Sequence, residues 1–177
     1  MPENTSVSKS AEIRFKGLAL EDIPIIVSAF ADVGWHKPAK LFEHYLVEQN
    51  NGLRKVWLAF CGDEFAGYVT LKWISDYPAF KTEGIPEIND LNVLPKYRSR
   101  GIGAKLLELA ETETQTKSKL IGIGVGLYAD YGRAQIMYVK RGYVPDGRGI
   151  TYYNQVVPPG KSVMLDDDLV LWFVKKV

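Results

Sequence analysis

The chain has 177 residues, 46% of them hydrophobic and 24% charged, which is typical of one folded domain and excludes a chain that is disordered throughout. Its 22 Lys and Arg residues nearly cancel its 21 Asp and Glu residues, so net charge gives no reason to expect binding to nucleic acid or to an anionic membrane. The only cysteine, Cys61, excludes an internal disulfide, fits a reducing compartment and is expected to pack in the core.

The N-terminal ten residues are polar and lack the apolar core of a secretory signal, and we expect them to form a flexible N-terminus. No apolar run approaches the roughly 20 residues of a membrane span, so a cytoplasmic location is expected. No break in composition and no repeat divides the chain. A single domain is therefore expected to occupy residues 1–177.

A short strand and two helices are predicted next. Residues 13–18 are typical of a strand, and apolar side chains at helical spacing follow in residues 23–30 and 38–49. Pro24 suits the first turn of the first helix. The side chains expected to face the core are Ile23, Ile26, Val27, Phe30, Leu41, Phe42, Tyr45 and Leu46.

A β-hairpin and a third strand occupy the middle of the chain. Residues 56–60 and 65–74 are rich in β-branched and aromatic side chains, and the short connection between them predicts an antiparallel hairpin. Residues 75–84 contain a proline and a glycine and are predicted to be a loop. A further strand is predicted at residues 87–94, ending before Pro95.

Helices and strands alternate in the second half of the chain. Apolar stripes predict a long helix at residues 100–117 and a shorter one at residues 131–141, which ends near Gly142. The remaining strands are predicted at residues 120–127, from residue 143 onward, and at residues 169–174. The predicted order is β-α-α-β-β-β-α-β-α-β-β, an α/β (α+β) class fold in which the later helices are crossovers within one mixed sheet.

A turn with basic residues and glycines, NVLPKYRSRGIGA at residues 92–104, lies between a predicted strand and a predicted helix. The unpaired N–H groups at a helix N-terminus attract phosphate, and Gly101 and Gly103 would let a bulky anion come close. Arg98 and Arg100 add positive charge. Local physics alone therefore predicts a diphosphate site without a metal, with an ordinary glycine-containing loop as an equal alternative.

Two familiar nucleotide signatures are absent from the chain. No Gly-x-x-x-x-Gly-Lys-Ser/Thr stretch is present, which disfavours a P-loop. The alternating Gly122, Gly124 and Gly126 lie inside a predicted strand instead of opening a helix, and Ala129 stands where the next glycine is required. A dinucleotide-binding fold is therefore also disfavoured.

Residues 93–103, VLPKYRSRGIG, resemble the acyl-CoA signature of the GNAT superfamily of N-acetyltransferases. The core of that signature is Arg/Gln-x-x-Gly-x-Gly/Ala, and Arg98, Gly101 and Gly103 satisfy it. The second characteristic stretch of the family is similar to Ala134, Met137, Tyr138, Gly142 and Tyr143 in this chain. The resemblance implies a GNAT-like fold whose mixed central sheet is splayed between the fourth and fifth strands.

The resemblance implies acetyl-CoA as a co-substrate. Backbone amides of Ser99, Arg100, Gly101, Ile102, Gly103 and Ala104, with the charge of Arg98, would bind its pyrophosphate. Backbone groups of Leu91, Asn92 and Val93 would hold the pantetheine and the thioester oxygen, and Ala134 belongs to the matching second stretch. Tyr131 stands where relatives often have a cofactor-binding asparagine, so its contact with the cofactor is left open. The bare face of Gly122, Gly124 and Gly126 either helps to open the splay or serves close packing.

Amine acetylation needs a neutral amine and an acid for the departing thiolate. A lysine-like amine with a pKa of about 10.4 costs about 4–5 kcal/mol to deprotonate at pH 7, so a base matters. The resemblance implies that Glu87 or Asp90 is this base and that Tyr138 protonates the leaving sulfur. The alternatives are a solvated or structural acid for each carboxylate and a core aromatic for Tyr138. His36 and His44 are weaker options for the base.

The acceptor side is less specific than the donor side. The early helices, residues 75–84 and residues 152–161 are the expected walls. Their aromatic residues could line an apolar pocket or simply pack at the edge of the core: Trp35, Trp73, Tyr77, Tyr152 and Tyr153. The three aspartates at residues 166–168 could attract a cation or form a solvated acidic turn.

These motifs predict an N-acetyltransferase that moves an acetyl group from acetyl-CoA directly to a primary amine of a small molecule or a peptide. No metal is expected, because one cysteine and two histidines offer no ligand cluster. Neither nucleic acid nor a membrane is an expected partner, and a homodimer is one option for the oligomeric state. The competing interpretation is a non-catalytic acyl-CoA-binding or regulatory module.

Overall fold

A mixed sheet of eight strands runs through the part of the chain that the structure, a computed structural model, describes, residues 12–177. The predicted flexible N-terminus at residues 1–10 lies outside these residues. The strands follow the order β1-β2-β3-β4-β5-β8-β6-β7 across the sheet. They are β1 (Ile13–Gly17), β2 (Arg54–Cys61), β3 (Glu64–Lys72), β4 (Glu87–Val93), β5 (Leu120–Gly126), β6 (Val144–Tyr152), β7 (Gln155–Val156) and β8 (Leu169–Lys176).

Five α-helices connect the described strands, and they include all four that the sequence predicts. They are α1 (Ile23–Ala31), α2 (Ala39–Asn50), α3 (Pro78–Glu83), α4 (Ile102–Thr114) and α5 (Gly132–Lys140). The predicted inner faces are confirmed: Ile26, Phe30 and Phe42 are fully buried, while Val27 and Leu46 are partly buried against the same core. No helix within residues 12–177 is long and apolar enough to cross a membrane.

The sheet splays between its fourth and fifth strands, as predicted. β4 and β5 run parallel and pair only at Glu87 with Gly122 and at Ile88 with Ile123. Beyond Ile88, β4 contains a bulge: the register with β3 shifts between Tyr68 and Thr70, and Asp90 has a left-handed φ of 56°. An extra residue in one strand bends it and ends its pairing. The bulge therefore lies where β4 separates from β5.

The prediction of a loop at residues 75–84 is wrong over its second half, which forms α3. Pro78 occupies its first turn, where a missing N–H costs nothing, and Gly84 ends it with a left-handed φ of 66°. Phe80 is fully buried beside Trp172 and packs over Gly122. Six residues are too few to show helical periodicity, so only these two terminal signals could have identified the helix.

The late strands are longer than the sequence predicts. β6 continues to Tyr152, although its pattern is interrupted by a register shift between Pro145 and Ile150, where Gly147 and Gly149 both have positive φ. The two-residue β7 was not predicted at all. A bulged strand with little burial does not show regular alternation of apolar and polar residues, which explains why its length was missed.

Candidate active site

A cleft of about 1110 Å³ opens where β4 and β5 separate, between the start of α4 and α5. Most residues predicted to bind or act at the site line it: Asp90, Leu91, Asn92, Val93, Arg98, Ser99, Gly101, Ile102, Gly103, Ala104, Tyr131, Ala134 and Tyr138. Glu87 and Arg100 are not among the lining residues. Residues that are up to 48 positions apart in the chain are thus brought together around one space.

The turn before α4 has a left-handed backbone at two residues. Ser99 and Gly101 have left-handed φ values of 62° and 79°, and α4 begins directly after Gly101. Arg98 donates from Nε to the Val93 carbonyl at 3.1 Å, and its guanidinium lies 5.3 Å from the Trp35 ring centre. The end of β4 is therefore tied to the turn, with the N–H groups that begin α4 beside the cleft.

Two other arginines differ in how they relate to this turn. Arg100 packs against the Tyr97 ring at 5.5 Å and points Nη1 at Cys61 Sγ, 3.9 Å away, so its side chain does not line the cleft. Arg133, at the start of α5, lines the cleft and donates to Ser99 Oγ at 2.8 Å. Sequence reasoning missed Arg133, because only the folded chain brings α5 beside the turn.

The glycine face of β5 is covered by aromatic rings. A Cβ at Gly122 would lie 2.0 Å from the Phe80 ring, and one at Gly126 would lie 2.4 Å from the Tyr131 ring. At Gly124, which lines the cleft, a Cβ would lie 2.9 Å from Val170. These contacts support close packing as the role of the glycines.

Asp90, at the β4 bulge, accepts hydrogen bonds on both carboxylate oxygens. Lys37 Nζ at 2.6 Å and Asn92 Nδ2 at 2.7 Å reach Oδ1, while the Tyr45 hydroxyl at 3.0 Å and the Tyr68 hydroxyl reach Oδ2. A carboxylate offers about four lone-pair sites. All of them are occupied, so an amine from outside must displace one of these donors before it can use Asp90.

Glu87 lies deeper, at the start of β4. The Ser75 hydroxyl donates to it at 2.5 Å and Asn89 Nδ2 donates at 3.1 Å. Burial raises the pKa of Glu87, although both hydrogen bonds oppose the rise. Asn89 itself lines the cleft and accepts from Arg54 Nη1 at 3.2 Å. Glu87 is therefore one side chain removed from the cleft, behind Asn89.

Tyr138 contributes a buried phenol to the cleft. Its ring meets Tyr143 edge to face at 6.0 Å, and burial alone raises the pKa of its hydroxyl. The two histidines weighed as alternative bases are exposed and do not line the cleft, and His44 lies 3.5 Å from Glu48. Neither imidazole is therefore placed to remove a proton from an amine in the cleft.

Most of the aromatic residues that were considered either as an acceptor pocket or as packing at the edge of the core lie away from the cleft. Of the five aromatic residues considered, only Trp35 lines the cleft. Tyr77 stacks on Trp172 at 4.4 Å in the small cluster around α3, and Tyr153 is exposed. Asp167 does line the cleft and accepts from the hydroxyls of Tyr131, at 2.8 Å, and Tyr128. One of the three aspartates thus faces the site, held by two tyrosines.

The family of the protein follows from its sequence as well as its fold. The sequence profile described as "Acetyltransferase (GNAT) domain" matches residues 52–145, more than half of the chain. The chain belongs to the GNAT acetyltransferase family. It is therefore an acetyltransferase, and the matched residues include the turn before α4 and most of the residues that line the cleft. By sequence, no curated protein matches the chain.

Solved GNAT structures share the fold across almost the whole chain. A protein assigned to the GNAT family from Desulfovibrio desulfuricans has 16% identity and a TM-score of 0.69, covering 93% of this chain and 99% of its own. An acetyltransferase from Salmonella typhimurium that modifies the N-terminal serine of ribosomal protein L7/L12 has 12% identity and a TM-score of 0.69, with coverages of 95% and 96%. YncA from the same organism, solved with acetyl-CoA, has 15% identity and a TM-score of 0.64, covering 93% of each chain.

The residues that line the GNAT cleft include several that the sequence motifs did not indicate. They are Lys37, Tyr45, Asn89, Tyr128 and Arg133. Each reaches the cleft through tertiary packing and carries no recognisable local signal. Within residues 12–177, no group of three His, Cys, Asp or Glu residues could hold a metal ion.

Proposed function

We propose that this GNAT protein transfers an acetyl group from acetyl-CoA directly to a primary amine of a small molecule or a peptide. The observation that carries the proposal is the continuity of one cleft from the glycine turn, past the β4 bulge, to Tyr138. An anion site at one end and a buried proton donor at the other match a donor with a pyrophosphate and a thioester. The alternative of a non-catalytic module has no comparable observation in its favour.

The residues present fit acetyl-CoA as the co-substrate. The N–H groups from Ser99 to Ala104 are proposed to bind the pyrophosphate, with Arg98 and Arg133 adding positive charge. The cleft-lining backbone of Leu91, Asn92 and Val93 is proposed to hold the pantetheine and the thioester oxygen, since the pairing of β4 with β5 ends at Ile88 and leaves this edge of the strand open to the cleft. When bound, acetyl-CoA supplies an activated acetyl group.

Tyr131 and Ala134 receive different roles in the proposal. Ala134 lines the cleft where α5 faces the turn, and its small side chain leaves room for the pantetheine. The Tyr131 ring packs on Gly126 and its hydroxyl is held by Asp167, so we assign it to the wall of the cleft on the β5 side. Arg100 is proposed to contribute its backbone N–H alone.

Two acids remain as proposed bases, and their surroundings separate them. Glu87 is buried, has a raised pKa and accepts a hydrogen bond from Asn89, which lines the cleft, and we propose that a water molecule relays the proton between the cleft and Glu87. Asp90 has its lone pairs filled by four donors. We therefore assign proton removal from an external amine to Glu87 and the shaping of the bulge to Asp90. Tyr138 is assigned the proton that the leaving sulfur takes.

The acceptor is proposed to be an amine with little bulk around its nitrogen, such as a peptide N-terminus or a small primary amine. The Salmonella acetyltransferase with the same fold modifies an N-terminal serine, which makes short peptides a reasonable first class to test. Asp167 and the Tyr128 and Tyr131 hydroxyls that donate to it supply a polar wall on the β5 side of the cleft.

Calorimetric titration with acetyl-CoA tests the donor half of the proposal, and release of free CoA thiol over a panel of peptides, polyamines and small amines tests the acceptor half. We expect binding, followed by thiol release with at least one amine. A protein that does not bind acetyl-CoA would refute the proposal. Binding without thiol release for any amine class would support the non-catalytic module instead.

A further inference from the structure

An amine of the chain itself occupies the cleft. Lys37 lies in the connection between α1 and α2, and its side chain is only 22% exposed. Its Nζ lies 2.6 Å from Asp90 Oδ1 and 5.8 Å from the Tyr68 ring centre. Lys37 and Asp90 both line the cleft that contains Tyr138 and the glycine turn.

The position of this amine coincides with the place where chemistry is proposed. Asp90 directly precedes Leu91, the first of the three residues assigned to the thioester oxygen and the pantetheine. The inference therefore rests on the proposed function. If the donor binds as proposed, an ammonium held at the bulge would lie near its acetyl group, and an amine kept in place by the fold has the advantage of an intramolecular reactant.

A structural ion pair alone does not account for the arrangement as well. Tyr45, Tyr68 and Asn92 already give Asp90 three donors. An ion pair that is mostly buried gains little net stability, because the cost of removing two charges from water offsets their attraction, and a lysine side chain loses rotamer freedom when it is held. Lys37, the fourth donor to Asp90, differs from the other three, because it carries the only primary amine that lines the cleft within residues 12–177.

We propose that the protein acetylates its own Lys37 from acetyl-CoA. The Lys37 ammonium gives one proton to Asp90 Oδ1 along the existing 2.6 Å contact, and Asp90 passes it to solvent. The nitrogen lone pair forms an amide bond with the acetyl carbon while the carbon–sulfur bond breaks, and the nitrogen then loses its second proton to solvent. The CoA sulfur leaves with the electron pair and takes a proton from Tyr138, which solvent reprotonates. The product is an uncharged acetyl-lysine, which no longer pairs with Asp90.

Incubation of the full chain with isotopically labelled acetyl-CoA, followed by peptide mass spectrometry, tests the proposal. Lys40 is the matched control, since it lies three residues away on α2, is exposed and does not line the cleft. We expect Lys37 to be labelled at least about tenfold faster than Lys40, as expected of a positioned reactant. The rate should not depend on protein concentration, because the reaction occurs within one chain.

Variants separate the enzymatic step from chemical acetylation. Lys37→Arg should abolish the rapid label, Lys40→Arg should leave it intact, and Tyr138→Phe should slow it. Equal labelling of Lys37 and Lys40, or a label at Lys37 that Tyr138→Phe does not slow, would overturn the proposal.

The same experiment distinguishes the failure of this inference from the failure of the proposed function. Absence of label at Lys37 in a protein that binds acetyl-CoA and releases thiol with an added amine overturns self-acetylation alone. Absence of acetyl-CoA binding overturns both. Lys37→Gln, which keeps a side chain of similar length, shows by an unchanged melting temperature that loss of the label does not reflect unfolding.

Discussion

Glu87 and Tyr138 show how burial prepares two side chains for opposite roles. Burial disfavours the charged form of each group, and it therefore raises both pKa values. For the phenol, whose ordinary pKa of about 10 already keeps the proton on the hydroxyl at neutral pH, the rise means that the proton leaves only when a strong base such as the departing thiolate develops beside it. For the carboxyl group, the rise means a stronger base once the proton has left, which suits removal of a proton from an amine.

Tyr138→Phe is expected to lower kcat by about 10²-fold with little change in KM for acetyl-CoA, because it removes a proton donor and leaves the ring packing on Tyr143 in place. Steady-state thiol release at saturating amine measures the effect. The melting temperature should stay within a few degrees of the parent protein. Unchanged turnover in Tyr138→Phe would reject the leaving-group role.

Glu87→Gln is expected to remove the acidic limb of the pH profile of kcat/KM. In the parent protein, activity should rise with pH as Glu87 loses its proton, and its raised pKa places that rise above the range of an ordinary glutamate. Asp90→Asn is the matched comparison and should keep the limb. If the limb persists in Glu87→Gln and disappears in Asp90→Asn, the base is Asp90.

The same raised pKa has a consequence for stability that checks the assignment of Glu87 independently of turnover. The folded state binds this proton more tightly than the unfolded chain, so the contribution of Glu87 to the free energy of unfolding falls as pH rises through the folded pKa. Glu87→Gln does not titrate. Its melting temperature relative to the parent protein should therefore increase as pH rises above about 4, the pKa of an ordinary glutamate.

At the scale of elements, long periodic segments were predictable and short or irregular ones were not. α4 has an apolar stripe over 13 residues, and its predicted inner face is buried at Leu106 and Leu107. α3 has six residues, so its burial of Phe80 leaves no period to detect. In β6, glycines with positive φ interrupt the alternation. Periodicity needs length, and these elements lack it.

The candidate site also has one part that could be predicted from the sequence and one part that could not. The glycine turn is a local backbone feature, and its residues could be named because residues 99–104 are six consecutive positions in the chain. The side chains around Asp90 come from Lys37, Tyr45 and Tyr68, which are 53, 45 and 22 positions away. No pattern in one sequence links such positions, because tertiary packing alone brings them together.

The turn before α4 provides a prediction with an internal control. Gly101 has a φ of 79°, a conformation that costs a residue with a Cβ about 1–2 kcal/mol, so Gly101→Ala should destabilise the protein by that amount. Since the change also distorts the turn, acetyl-CoA affinity should fall by about tenfold, or about 1.4 kcal/mol. Calorimetric titration and chemical denaturation measure the two effects.

Gly103→Ala is the control for the turn. Its Cβ would lie 3.7 Å from Val93 and 3.8 Å from Met137, an ordinary contact distance, and alanine is favoured over glycine inside a helix by about 0.5–1 kcal/mol. We expect retained affinity and a small gain in stability. Equal loss of affinity in both variants would show that the absence of any side chain matters, and that the backbone conformation of Gly101 does not.

At the scale of the whole molecule, the sheet consists of two parts that are joined weakly. β1 to β4 form one antiparallel run and β5, β8, β6 and β7 form another, and the only strand pairing between them is at Glu87 with Gly122 and Ile88 with Ile123. The cleft occupies the opening between the two parts. A ligand that contacts β4, the turn and α5 at once would therefore hold the parts together and raise the stability of the folded state.

Acetyl-CoA at about 100 times its dissociation constant should stabilise the protein by about 2.7 kcal/mol, which for a chain of this size corresponds to about 5–10 °C in the melting temperature. S-Acetylpantetheine has the thioester but lacks the pyrophosphate. At the same concentration it should give a much smaller shift, because Arg98, Arg133 and the N–H groups at the start of α4 then have no anion to bind. The difference between the two ligands should shrink as salt is added, since the arginines are exposed and their charges are screened. Equal shifts for both ligands would place the pyrophosphate away from the turn and remove the main argument for its role.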